Sequence, residues 1–575
     1  MMTKRIVVDP ITRIEGHLRV EVVVDENNVI TDAFSSSTLW RGLEKVVQNR
    51  DPRDAGFIMQ RICGVCTFSH YKAGINAVEN ALNITPPKNA ELIRSLMNVS
   101  LVLHDHLVHF YTLHGLDWCD VVSALKADPN KASDIAFKYS KFPINTGAGE
   151  LKAVQARVTD FVKKGALGPF ANAYWGHKTY RFSPEQNLIV LSHYLKLLEV
   201  QRVAAQMMAI FGSKQPHPQN LTVGGVTSIM DILDPSRLGD WLFKYQYVKD
   251  FVDRAYYPDI LMAAEVYKNE PSVLKGSGVP NFLCYEEIPL GNGEYLYSSG
   301  IIRDYDITKL YDINEELITE EATHSWYKDN EPLHPYNGKT EPEYTGFKDG
   351  MSVGPDLKDV KMKLLDTDGK YSWIKSPRYD GVPMEVGPLA AIVVGLAAKN
   401  PRITTVAEQF FKDTKLPLKA VFSTLGRTAA RALECKLSAD YGIEVFNSLI
   451  ENLKIDKTTY TKYEIDKNKE YKGRYIGNVP RGVLSHWVRI KNGVIENYQA
   501  VVPSTWNAGP RDANGQKGPY EASLIGIKIE NLAQPLEIIR TIHSFDPCIA
   551  CSVHLIDTKG NKMGEYKMNP TTLRV

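Results

Sequence analysis

The sequence predicts an α+β fold, predominantly α, with a central bundle of long helices and small sheets at the periphery. Three observations carry this. Four stretches, at about 86–115, 184–211, 235–265 and 417–452, repeat apolar residues at three- and four-residue spacing. Extended patterns concentrate at residues 4–39 and in a hairpin turning at Asn492-Gly493. Hydrophobic residues make up 43% of the 575, enough for an extensive core without a disulfide scaffold.

In chain order, Ile6-Val-Val and Leu18-Arg-Val-Glu-Val-Val-Val read as strands, with a turn at Asn27-Asn28 and a further extended run. Asp51-Pro-Arg-Asp-Ala opens a helical segment with acids in its first turn, where the helix dipole favours them. Pro86-Pro87 starts a helix running to about Gly115. The 184–211 helix stops before Gly212, and the 417–452 helix has a possible break at Tyr441-Gly442. Residues 327–382, rich in Asp, Lys, Gly and Pro, read as a polar surface excursion.

Charge excludes some functions. Lys plus Arg is 68 against 67 for Asp plus Glu, which gives no support for nucleic-acid binding. The longest apolar run, Leu389 to Ala398, is about half a membrane span. Met1 to Pro10 lacks the apolar stretch of a signal peptide, so a soluble chain without its own export signal is expected.

The chemistry concentrates in two cysteine pairs. Arg61-Ile-Cys-Gly-Val-Cys-Thr-Phe-Ser-His70 holds Cys63 and Cys66; Asp546-Pro-Cys-Ile-Ala-Cys-Ser-Val-His554 holds Cys548 and Cys551. Each Cys-x-x-Cys turn aims two sulfurs at one point, and two such turns make a four-thiolate cage for a soft or borderline metal. Structural zinc is the plain alternative. Zinc pairs of that kind lie within tens of residues, whereas 482 positions separate Cys66 from Cys548. A reaction centre suits that spacing better than a staple. The other three cysteines, Cys119, Cys284 and Cys435, are scattered and read as buried thiols. His104, His106, His109 and His114 crowd one helix, but no carboxylate or thiol in the sequence pattern completes a metal set for them.

Together the two flanked motifs resemble those of the large subunit of nickel–iron hydrogenases, of the respiratory, membrane-bound uptake type. The resemblance runs from Asp9 to His554 and includes Arg13-Ile-Glu-Gly-His17, Trp40-Arg-Gly-Leu-Glu44 and Gly176-His-Lys-Thr-Tyr-Arg181. It implies nickel bound by Cys63, Cys66, Cys548 and Cys551, with Cys66 and Cys551 also bridging to an iron that carries carbon monoxide and cyanide. Glu15, alone a solvated strand-end carboxylate, matches the glutamate that takes protons from the nickel-bound Cys548. Arg481, otherwise a surface ion-pair partner, matches the arginine over the metals, held by Asp105 and Asp546. His70 matches a histidine hydrogen-bonded to a bridging thiolate, and Ser504 a residue bonded to cyanide. Glu44, the Ala500 carbonyl and His554 match ligands of a magnesium ion.

The resemblance also implies partners: an iron–sulfur small subunit, because no cysteines remain here for an electron relay, and a membrane cytochrome b beyond it. It places the protein at the periplasmic face, exported with the small subunit. Residues 1–554 then form the catalytic domain. Leu555 to Val575 resembles an extension that a maturation endopeptidase removes. The competing readings are a zinc-stapled scaffold, a hydrogen sensor built on the same site, and the related respiratory Complex I subunit, against which retention of all four cysteines argues.

Overall fold

The computed structural model describes residues 4–549, apart from 166–167, 169, 171–172, 229–233, 329 and 355. Cys551, His554 and the 555–575 segment lie outside the described residues.

Two long helices form the centre, Lys88–Val108 and Thr424–Leu453, packed against each other. The first is buried almost all round, polar residues included. Several of its polar residues find partners nearby: Arg94 makes two hydrogen bonds of 2.8 Å to Glu79, and the Ser95 and Ser100 hydroxyls donate to carbonyls one turn back. The helix continues beyond Val108 through a wide π turn, His109–His114, and a 3-10 turn, Gly115–Asp117. Widened turns of this kind redirect side chains and cluster at functional sites.

The expected break at Tyr441-Gly442 is absent, and Thr424–Leu453 runs through it. Glycine is there for close packing: a Cβ on Gly442 would lie 2.7 Å from Val99 Cγ1 on the neighbouring helix. That close approach offsets the roughly 1 kcal/mol a helical glycine costs. Pro184–Gly212 starts with Ser183 and Gln186 capping each other's backbone amides; it runs through Gly212, one residue past the expected stop, and ends at Ser213, which takes the left-handed conformation at φ +68°. The 235–265 expectation becomes Pro235–Phe251, a π turn Val252–Tyr256, and Tyr257–Tyr267. The apolar run at 389–398 is a buried helix, Pro388–Ala397, in the main core. Among the described residues, no helix is long and apolar enough to cross a membrane.

Two three-stranded antiparallel sheets flank the bundle. Lys4–Val8, Leu18–Val24 and Ile30–Ser37 form the first, where the sequence predicts extended runs. Its inner residues Ile6, Leu18, Val20 and Val22 share a core with Ile538, Ile542, Phe545 and Ile549, so both ends of the chain pack together. Tyr471–Val479, Gly482–Lys491 and Val494–Val501 form the second. Its first strand lies against the Thr67–Leu82 helix that follows the first cysteine pair.

The 327–382 segment differs from expectation. A surface hairpin, Lys348–Val353 with Asp359–Leu364, is polar as predicted. The flanks are not: Tyr371 and Trp373 are buried, and Trp373 stacks on Trp40 at 5.7 Å between centroids. Averaging composition over the whole stretch hid these aromatic anchors.

Candidate metal centre

The first cysteine pair is built locally. Cys66 occupies the N-cap of Thr67–Leu82, and the amides of Val65 and Cys66 donate to Cys63 Sγ at 3.1 and 3.2 Å. Both sulfurs thus sit at the positive end of a 16-residue helix, a place that favours thiolate. Cys548 reaches them from the other end of the chain. Its Sγ lies 3.3 Å from Cys63 Sγ and 3.9 Å from Cys66 Sγ, and all three are buried. Tetrahedral ligands at the usual metal–sulfur distance stand about 3.8 Å apart. The sulfurs bracket that value and are too far apart for a disulfide. Three soft donors converging in a buried site fit a thiolate-bound nickel.

The Cys548 segment is held by long-range contacts. The Cys548 amide donates to Ser504 Oγ at 3.1 Å, the Glu15 amide to the Pro547 carbonyl at 3.3 Å, and the Ile549 amide to the Glu15 carbonyl at 2.7 Å. This strand-like pairing sets Glu15 beside Cys548, with Glu15 Oε2 3.5 Å from the sulfur. Apart from the family resemblance, no sequence signal separated Glu15 from an ordinary strand-end acid; the pairing does.

Arg481 sits in the turn between Tyr471–Val479 and Gly482–Lys491. The next residue must be glycine: Gly482 has φ +118°, and a Cβ would come within 2.4 Å of the Gly387 nitrogen. Arg481 Nη1 lies 2.7 Å from Asp105 Oδ2, and Nε lies 3.2 Å from Asp546 Oδ2. Arg431 approaches the same Asp546 oxygen at 3.5 Å. Burial opposes the Arg481 charge, but Asp546, Asp105 and the Cys548 and Cys66 sulfurs hold its guanidinium well above the usual range. Burial pushes the Asp546 carboxyl up, with Arg481 and Arg431 pulling against it. Arg431 was not anticipated, since a lone arginine in a helix carries no distinguishing pattern. Cys66, His70, Arg481, Ser504 and Cys548 line one small pocket.

His70 Nδ1 pairs with His486 Nε2 at 3.1 Å, and His486 Nδ1 with the Tyr498 hydroxyl at 2.6 Å, a relay the sequence did not suggest. The histidines of the central helix divide. His106 Nε2 pairs with Glu434 at 2.7 Å, and burial lifts that carboxyl to about 8. His109 Nε2 donates to the His543 carbonyl at 2.7 Å. His114 instead joins Asp117 and His543 in a second buried cluster. Its carboxylate and partner histidine come from sequence positions that carried no motif.

Glu44 lies where the second sheet ends. The Ala500 amide donates to its Oε1 at 2.9 Å, and Thr340 donates to its Oε2. Gln499, Lys375 and Glu320 complete the surroundings. Burial raises the Glu320 carboxyl to about 7, and its Oε2 is buried without a hydrogen-bond partner. Oxygen donors with an unsatisfied buried carboxyl oxygen fit a hard cation such as magnesium.

Comparison with known proteins gives one answer. A family model described as nickel-dependent hydrogenase matches residues 41–554, and one described as HoxL-like matches residues 5–36. The quinone-reactive Ni/Fe-hydrogenase large chain of Wolinella succinogenes is 76% identical over 572 residues, covering 100% of this chain and 99% of that one. The hydrogenase-2 large chain of Escherichia coli is 43% identical, covering 99% and 100%. Among solved structures, the reduced Ni-Fe-Se hydrogenase of D. vulgaris Hildenborough matches with TM-score 0.76 and 30% identity, covering 96% of this chain and 100% of that one. The buried convergence of Cys63, Cys66 and Cys548, with a family match across nearly the whole chain, places this protein in the nickel-dependent hydrogenases, as a large subunit.

Proposed function

We propose that this chain is the catalytic subunit of an uptake hydrogenase that cleaves H2 heterolytically into protons and electrons. The observation that carries the reading is the Glu15 carboxylate 3.5 Å from the Cys548 sulfur, inside a buried thiolate cluster. A nickel–iron centre held by Cys63, Cys66, Cys548 and Cys551, its iron bearing carbon monoxide and cyanide, would supply Lewis acidity and capacity for two electrons.

The chain's own residues do the rest. Cys548 thiolate accepts the proton, and Glu15 takes it on across one hydrogen-bond contact. Arg481, always charged, presents a fixed cation to the pocket and is no base. Asp105 and Asp546 hold it there. Ser504, whose oxygen accepts from the Cys548 amide, keeps a hydroxyl proton to offer a cyanide. His70 is proposed to bond a bridging thiolate, with His486 behind it. Glu44, the Ala500 carbonyl and His554 would hold magnesium.

Electrons leave through a partner. Cys119, Cys284 and Cys435 are each buried, and among the described residues none of them joins a group of cysteines that could hold a cluster. An iron–sulfur small subunit and then a membrane cytochrome b and quinone are the proposed route, in keeping with the relative named quinone-reactive. That arrangement sets the complex at the periplasmic face of the membrane, exported with the small subunit. The family match ends at residue 554, which supports 1–554 as the catalytic domain and 555–575 as an extension removed by an endopeptidase after nickel loading.

Infrared spectra of the purified complex test the centre: bands from iron-bound carbon monoxide and cyanide are expected, with one nickel per large subunit and iron in excess of nickel, because the small subunit's clusters carry iron too. Zinc alone, without those bands, would overturn the reading. Intact-mass measurement tests the extension, with active enzyme expected to end at His554. Active, nickel-loaded enzyme still carrying 555–575 would rule out removal.

A further inference from the structure

His114, Asp117 and His543 have donor atoms close enough to hold a metal, yet their hydrogen bonds point to another use. Asp117 is fully buried. Its Oδ1 accepts from Arg13 Nη2 at 2.6 Å, and its Oδ2 accepts from His114 Nδ1 at 2.8 Å and His543 Nδ1 at 2.6 Å. Trp118 Nε1 donates to His114 Nε2 at 2.9 Å, so His114 carries its proton on Nδ1. His543 Nε2 meets the Thr12 carbonyl at 2.8 Å. Both nitrogens of His543 therefore face oxygen acceptors, which ties its ring to Asp117 on one side and to the Thr12 segment on the other. The Arg13 guanidinium already neutralises this carboxylate. Burial alone would raise the Asp117 carboxyl, but Arg13 and His543 hold it well below its usual value.

The partners are placed tellingly. Arg13 is two residues before Glu15, and His543 is five before Cys548. Arg13 also donates to the Leu113 carbonyl at 2.6 Å, and Arg540 donates to the Asp117 carbonyl at 2.8 Å. Arg13 has φ +55°, a conformation that a non-glycine residue keeps only when its surroundings hold it. The N-terminal and C-terminal segments of the site thus meet on one carboxylate at the end of the central helix.

We propose that Asp117 is a positioning residue for proton transfer: through Arg13 and His543 it fixes the two segments that carry Glu15 and Cys548. This rests on the reading of Glu15 and Cys548 given under Proposed function. The 3.5 Å contact depends on both segments at once. A misplacement of about 1 Å can cost on the order of a hundredfold in rate.

The test uses the assembled holoenzyme with Asp117→Asn, Arg13→Gln, Glu15→Gln and the double variant Asp117→Asn/Glu15→Gln. Two rates are compared: conversion of para- to ortho-hydrogen, which needs only cleavage and re-formation of H–H, and exchange of D2 with water, which needs the proton to leave. For Asp117→Asn, nickel content and infrared bands should be unchanged and conversion within about twofold, while exchange falls roughly tenfold to a hundredfold. The double variant should be no slower than Glu15→Gln alone, because both act on one step. Equal loss of both rates, unchanged exchange, or additive loss in the double variant would overturn the proposal. If Asp117→Asn does not load nickel, Arg13→Gln, at the rim of the cluster, carries the same comparison. Normal exchange in Glu15→Gln would instead sink the proton reading itself; impaired exchange there with normal exchange in Asp117→Asn would sink only the positioning role.

Discussion

The two cysteine turns do the same job by opposite means. Cys63 and Cys66 are set by three consecutive peptide units and the helix they cap. Cys548 is set by Ser504, Glu15 and, through His543, Asp117, residues from 44 to more than 500 positions away. One half of the cage can form as soon as its helix does. The other seats only after the two ends of the chain have met. That order suits a site loaded with metal before it is closed.

The comparison is sharpest where both halves should fail alike. Cys63→Ser and Cys548→Ser should each abolish hydrogen oxidation and lower nickel, because a hydroxyl is a hard substitute for a soft thiolate. Nickel analysis and H2-dependent dye reduction check this; full nickel and activity in both would remove the shared cage. Next, Glu15→Gln touches only the remotely held half. Metal content should stay normal while turnover falls about 10²- to 10⁴-fold, the range of a lost general acid–base step. Unchanged turnover would mean that protons leave elsewhere.

Asp546→Asn probes what holds the second half. It leaves Arg481 and Arg431 short of a buried anion, so a stability loss of about 3–5 kcal/mol is expected in denaturant unfolding. A change below 1 kcal/mol would show the pair to be well solvated. The smallest effect separates the halves directly. Ser504→Ala strips the acceptor from the Cys548 amide, a cost of about 1–3 kcal/mol. Hydrogen exchange should quicken around Cys548 and stay unchanged at Val65 and Cys66. Equal quickening at both would mean the halves are one cooperative unit.

Local pattern explains much of what was legible. The proline start at Pro86-Pro87 and the extended runs at 4–39 act within a few residues, so the first central helix and the first sheet could be read directly. The same holds for Cys63 and Cys66. Glu15, Asp105, Arg481, Ser504 and Asp546 were found only because their surroundings resembled a known family; singly, each looked like an ordinary surface or helix residue.

By itself the sequence determined the helical bundle, the thiolate chemistry and the scatter of the other three cysteines, because residue type and short spacing decide those. Only the tertiary structure decided that Glu15 touches Cys548, that Arg431 stands behind Asp546, that Gly442 packs rather than breaks a helix, and that Asp117 gathers Arg13 and His543. Each of these is a contact between residues far apart in the chain, where water is excluded and one carboxylate can hold two partners. No local spacing encodes that.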